Sequence, residues 1–166
     1  LKDIGFTDEL LETSPTIEGN SLQKAQQLFK ALNLPCFAED TGLEIEALNG
    51  EPGVYSARYA GPNATFADNV AKVLAAMQGK ANRNARFKTV ITYYNDGLYV
   101  QFEGITNGVI TGKPAGGHGF GYDPVFIPTG AHKTYAEMTL TEKNGYSHRK
   151  KSFDAFANYL NRITVL

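Results

Sequence analysis

Apolar residues recur at helical spacing in three stretches of the chain and alternate with polar ones in others, and this pattern sets out the elements. Leu22, Ala25, Leu28, Phe29 and Leu32 make the first helical stripe, with Gln23, Gln26, Gln27 and Lys30 expected to face out. Thr16 is placed as its N-cap, and Asn33 followed by Leu34-Pro35 as its stop. Ahead of it, Glu9 to Thr13 reads as an edge strand cut off by Ser14-Pro15. Phe66, Val70, Val73, Leu74 and Met77 form a second stripe, capped by Thr65 and ended by Gly79. Phe153, Phe156, Leu160 and Ile163 form a third, in a helix starting at Ser147.

Strands are expected between the helices. Cys36-Phe37-Ala38 reads as a buried strand running into a turn at Glu39-Asp40-Thr41-Gly42, and Leu43 to Ala47 alternates as a half-exposed strand would. Arg86 to Tyr94, Leu98 to Glu103 and Gly104 to Thr111 are three further β segments, with Gly108 as a bulge or crossing. Asn95-Asp96-Gly97 is a strong hairpin signal. Val125 to Ile127 is a last short strand. The long segment from Asn49 to Pro62 mixes turn residues with rings and Arg58, and reads as a functional or interface loop or a structured Ω-loop.

Composition narrows the class. A chain of 166 residues, 42% hydrophobic and 20% charged, fits one globular domain with a real core. Sixteen basic against seventeen acidic side chains give a net charge of −1, so no basic footprint for nucleic acid is indicated. No apolar run approaches the ~18 residues of a membrane span. A lone cysteine, Cys36, excludes an internal disulfide framework, fits a reducing cytoplasm, and reads as a small buried hydrophobe.

Three stretches could carry chemistry. Gly116-Gly117-His118-Gly119-Phe120-Gly121-Tyr122-Asp123-Pro124 sets two rings and a carboxylate among four glycines. Such a loop can stack a ring on a flat ligand and bond its edge, or can simply be a surface loop with its rings in the core. Glu39 and Asp40 are adjacent acids where a divalent ion could be held, or they belong to a solvated turn. Lys143, His148, Arg149, Lys150 and Lys151 crowd the start of the last helix, where cations oppose the macrodipole. They read as an anion or nucleotide site or, for Lys150 and Lys151 above all, as a solvated charge run. Lys24 borders the first stripe, where exposure is the default.

Taken together and in order, Glu12-Thr13, Asn20, Lys24-Ala25, Ala38 to Leu43, Pro52 to Tyr59, Gly119 to Pro124, Glu142-Lys143 and Ser147 to Arg149 carry a resemblance. The chain resembles the inosine triphosphate pyrophosphatase family over essentially its whole length. The resemblance implies an α/β fold, a long twisted mixed sheet flanked by helices, with two lobes and a nucleotide cleft between them. It implies a cytoplasmic homodimer that uses Mg²⁺ to cleave non-canonical purine triphosphates (ITP, dITP, XTP) to the monophosphate and pyrophosphate. Asp40 falls on the family's general base, and Glu12, Glu39 and Asp40 on its acidic metal cluster. Lys24 and Thr41 fall near the phosphates. Phe120 is the ring that stacks on the purine, in the Gly121-Tyr122 loop, while Asp123, Lys143, His148 and Arg149 line the base pocket.

The residue types suit that chemistry. A triphosphate needs cations to offset its charge, and water needs a carboxylate or a metal to become a competent nucleophile. A 6-oxo purine presents an acceptor where adenine presents a donor, so fixed donors would leave adenine mispaired. Each such mispairing costs about 1–3 kcal/mol, roughly tenfold or more. The family opens with a strand and a Ser/Thr-x-Asn-x-x-Lys loop that grips the triphosphate, and neither is found ahead of Glu12 here. The resemblance therefore implies one domain over residues 1–166, truncated at its N-terminus, with a catalytically weak nucleotide-binding remnant as the alternative. A related pyrophosphatase acting on modified pyrimidines is a further alternative.

Overall fold

The computed structural model describes residue 6 and residues 9–164. The first helix, α1 (Ile17–Leu32), starts where Thr16 Oγ1 accepts the Gly19 amide at 3.0 Å. It ends at Asn33, whose left-handed backbone (φ 51°) returns its amide to the Phe29 carbonyl. Four strands follow one another across the sheet: β1 (Cys36–Ile45), β2 (Asn84–Asn95), β3 (Leu98–Ile110) and β4 (Phe126–Pro128). Each is antiparallel to the next, so among the described residues the sheet is wholly antiparallel where a mixed one was expected. Asp96 and Gly97, both at positive φ, make the expected tight turn between β2 and β3. α2 (Phe66–Ala76) begins in a reciprocal Thr65–Asp68 capping box, and α3 (Leu140–Asn144) is a single short turn before α4 (His148–Thr164).

The two faces of the sheet take different helices. Alternation along β1 sends Ala38, Asp40 and Gly42 to one face and Phe37, Glu39 and Thr41 to the other. α1 covers the first face. Its buried Ser21 hydroxyl donates to the Ala38 carbonyl at 3.0 Å and lies 2.8 Å from Thr92 Oγ1. α4 covers the second, where Phe156 meets Phe37, Tyr93 and Phe102. Gly104 of β3 lets α4 sit this close, because a Cβ there would lie 2.0 Å from the His148 carbonyl oxygen. The larger core joins Leu43, Ile45, Phe87 and Phe126 to α2 through Val70, Val73 and Met77, and a smaller one packs Ala25 and Leu28 on Ala38.

Several expectations are corrected. Glu39-Asp40-Thr41-Gly42 is no turn: β2 offers a partner to every residue from Cys36 to Ile45, and a continuous ladder overrides the turn preference. Leu98 to Ile110 is one strand for the same reason, with Gly108 paired in regular register to Ala85. Glu9 to Thr13 forms no strand. Side chains of α1 hold it instead, Gln27 Oε1 accepting from the Leu11 amide and Gln23 Oε1 from the Thr13 amide, each at 2.9 Å. Those two glutamines therefore do not simply face solvent. Phe66 opens α2 exposed rather than buried, and Phe37 is half exposed.

Candidate active site

A charged cluster forms on the α1 face of β1. The Lys24 ammonium donates to Glu12 Oε1 and to Asp40 Oδ1, both at 2.7 Å, and Arg58 reaches the other oxygen of Glu12 at 3.5 Å. Asp40 is buried, and its carboxyl is held above the ordinary range by that burial; the bonds from Lys24 and Asn20 only partly offset it. Burial pushes Glu12 the same way, but Lys24 and Arg58 together outweigh it and leave Glu12 lowered. Lys24 is raised, since its two carboxylates overcome its own desolvation. A carboxylate with a raised pKa is the better proton acceptor.

The opposite face of β1 floors a pocket of about 330 Å³. Thr41, Phe87, Phe120, Asp123, Lys143, His148 and Arg149 line it, with Phe66 at its mouth. Gly119 (φ +83°) makes the Phe120 loop possible, because a Cβ there would strike the Asp123 carboxylate at 2.0 Å. That carboxylate caps the loop by accepting the Phe120 amide at 2.9 Å, and it takes the Lys143 ammonium at 2.5 Å. Lys143 and Arg149 both lie over the Phe120 ring, at 5.1 and 5.5 Å from its centroid. Arg149 grips Glu39 through Nε and Nη2 at 2.9 and 2.8 Å. Thr41 donates to the same carboxylate at 3.0 Å.

His148 lies flat on Phe87, with centroids 4.7 Å apart and planes 10° from parallel. Burial, then the charges of Arg149, Lys143 and Lys151, push its pKa down to about 3, so the ring is neutral. Its Nδ1 is buried with no hydrogen-bond partner among the described residues, and buried polar atoms of this kind are normally satisfied. A broader depression of about 670 Å³, bounded by Glu44, Arg86 and Asn107, offers no ring, and its arginine is already paired to Glu44.

The expected site residues thus fall into two groups. Phe120, Gly121, Tyr122, Asp123, Lys143, His148, Arg149 and Thr41 come together in the pocket. Glu12, Lys24 and Asp40 come together on the other face. Glu39 does not join Glu12 and Asp40, because neighbours in a strand point to opposite faces, and Glu39 is spent on Arg149 and Thr41. Among the described residues no three Asp, Glu, His or Cys side chains converge on a metal position. Nor are the cations at the start of α4 free: Lys150 pairs with Asp154, and Lys151 turns to the Ile105 carbonyl.

Sequence reasoning missed Phe87, whose role under His148 needs the β2 register, and Arg58, which sits in a quoted motif but shows its contact with Glu12 only in the fold. It also missed Ser56, whose hydroxyl accepts the Leu43 amide at 2.9 Å and whose carbonyl takes the Tyr122 hydroxyl at 2.8 Å. Those two bonds tie the 53–58 helical turn to both β1 and the pocket loop.

An antiparallel sheet with a helix on each face, a ring-lined pocket and a carboxylate pair on the other side of its edge strand make this an α/β protein with a candidate active site. The sequence pattern of the Ham1 family matches residues 1–159, and the chain belongs to that family. It is 47% identical over 160 residues to a dITP/XTP pyrophosphatase of Flavobacterium johnsoniae, covering 96% of this chain and 83% of that protein. It is 43% identical to a dITP/XTP pyrophosphatase of Bacillus subtilis, covering 96% and 82%. A solved HAM1 protein from Coxiella burnetii superposes with a TM-score of 0.92 at 37% identity, covering 97% of this chain and 84% of that one. These matches take in nearly the whole chain and do not confirm the expected lack of a strand and phosphate loop.

Proposed function

We propose that this protein hydrolyses ITP, dITP and XTP to the monophosphate and pyrophosphate, removing aberrant purines from the nucleotide pool. One observation carries the reading: Thr41 floors a pocket lined by aromatic rings, and its sequence neighbour Asp40 presents a buried carboxylate of raised pKa on the opposite face of the same edge strand, so that a nucleotide lying over that edge would meet both. The relatives' names supply the substrate class.

In this reading the purine stacks on Phe120. Arg149, Lys143 and His148 meet its six-position side, with Asp123 holding Lys143 in place. Lys24 and Thr41 lie toward the phosphates. Asp40 takes the proton of the attacking water as the bond to the bridging α,β oxygen breaks, and pyrophosphate leaves with that oxygen. Glu12 and Asp40 suit Mg²⁺, a hard ion commonly held by one or two carboxylates with phosphate and water completing its shell. Their oxygens each lie 2.7 Å from one ammonium, so a single ion could reach both. When bound, Mg²⁺ would offset the charge on the leaving pyrophosphate. Glu39 is better read as the residue that positions Arg149.

The test is pyrophosphate release from ITP, dITP, XTP, ATP, GTP and modified pyrimidine triphosphates, with and without Mg²⁺. The reading expects release from the first three and little from the rest. Equal release from ATP, or preference for a pyrimidine, would overturn it. A cytoplasmic homodimer belongs to the same proposal, and light scattering in solution checks the dimer.

A further inference from the structure

We infer that Lys24 is a built-in counter-cation of the carboxylate pair, one that a divalent metal must displace and that is then released to the substrate phosphates. The inference rests on the reading that Glu12 and Asp40 hold the metal. Lys24 Nζ stands 2.7 Å from an oxygen of each, which is the position a bridging cation would take between them. The side chain is only 12% exposed, so it is no casual surface pair. Arg58 adds a second cation at Glu12. Two carboxylates thus face two cations, and the cluster is electrically balanced without metal.

That balance has a consequence for binding. A divalent ion entering an already neutral cluster brings two positive charges against Lys24 and Arg58, and the Lys24–Asp40 part of it is largely shielded from solvent. Like charges held this close oppose its entry. A triphosphate carries about four negative charges at neutral pH, and it gives the displaced ammonium a new partner. Metal and nucleotide therefore favour each other's binding, and the coupling is reciprocal. Lys24 is the moving part: on α1, anchored by its apolar stem between the two acids, it needs only a rotamer change to pass from carboxylate to phosphate. The arrangement keeps the carboxylates paired, and so avoids an uncompensated buried charge, whenever no substrate is bound.

The experiment measures Mn²⁺ binding by electron paramagnetic resonance on the whole chain, alone and with the non-hydrolysable α,β-imido analogue of ITP. The native protein is expected to bind Mn²⁺ weakly alone and more tightly with the analogue. Lys24→Met is expected to bind Mn²⁺ alone at least tenfold more tightly than the native protein. Its thermal midpoint should fall without metal and recover on adding Mn²⁺, which also shows that the variant folds. Lys24→Arg, which keeps the charge, should leave Mn²⁺ alone weakly bound. If Lys24→Met binds Mn²⁺ no better than the native protein while Glu12→Gln still loses it, the role given to Lys24 is wrong and the metal reading survives. If Glu12→Gln and Asp40→Asn together leave Mn²⁺ binding unchanged in the presence of the analogue, the metal reading fails and takes the Lys24 role with it.

Discussion

The two faces of β1 solve different problems with neighbouring residues. On the α1 face, Asp40, Glu12, Lys24 and Arg58 form a compact charge cluster in which each group offsets another. On the α4 face, Thr41 and Glu39 serve a pocket walled by Phe120, Phe87 and His148. The first face pairs its charges among themselves; the second holds a ring-lined pocket in shape. The lesson is that a strand's two-residue period can split one sequence motif between two tasks. Ala38 to Gly42 looks like a single acidic motif, yet in space its two carboxylates face opposite sides of β1.

The comparison can be broken most forcefully at Asp40. Asp40→Asn should lower turnover by about 10²–10⁴-fold, the range for loss of a general base. Binding of the α,β-imido analogue should change far less. Steady-state pyrophosphate release and analogue titration check this, and near-native turnover would move the chemistry off the α1 face.

Next in size is the pocket's own ring. Phe120→Ala should weaken binding of every purine triphosphate alike by about 1–3 kcal/mol, because stacking is indifferent to ring substituents. A titration series across ITP, XTP and ATP tests it; a loss confined to ITP would mean that Phe120 reads the base rather than supports it.

Arg149→Ala should act more narrowly. It removes a donor and leaves Glu39 without its cation, so the preference for ITP over ATP should shrink by about tenfold, the scale of one lost hydrogen bond to a charged group. Ratios of kcat/KM for the two substrates measure this. Equal losses on both substrates would make Arg149 a structural cation.

The smallest effect is on stability. His148 has its pKa depressed to about 3 from 6.5, so the folded protein keeps the ring neutral where the unfolded chain protonates it. The unfolded state then binds more protons, and stability falls as pH drops from 6.5 toward 3. At pH 5.5 the loss relative to pH 7 should be on the order of 1 kcal/mol. His148→Gln should flatten that slope in thermal midpoints taken between pH 7 and 5, and an unchanged slope would assign it to another group.

Much of this was legible in the chain. The caps Thr16 and Thr65, the stop at Asn33, the Asn95-Asp96-Gly97 turn and the three apolar stripes are local signals, made by residues within a few positions of one another. The Gly119 to Pro124 loop was legible for the same reason: glycine, ring and carboxylate form one bonded unit within five residues. Not legible was anything that depends on which partner a strand finds. Glu39 to Gly42 has the composition of a turn and becomes strand because β2 runs beside it without a break. Gln23 and Gln27 look like solvent residues and become clamps because an extended segment passes over α1.

The sequence by itself thus determined the three long helices and the caps at Thr16 and Thr65, the pocket loop and the kinds of chemical group available, since each of these rests on short-range sterics and hydrogen bonds; the short α3 and the end of α2 at Ala76, ahead of Gly79, it did not. Only the tertiary structure decided which acids meet. Glu12 and Asp40 are joined through Lys24 because α1 packs on one face of the sheet, and Glu39 is given to Arg149 because α4 packs on the other. The physical reason is that a carboxylate's partner is whatever cation the packing brings within about 3–4 Å, and no spacing along the chain carries that distance.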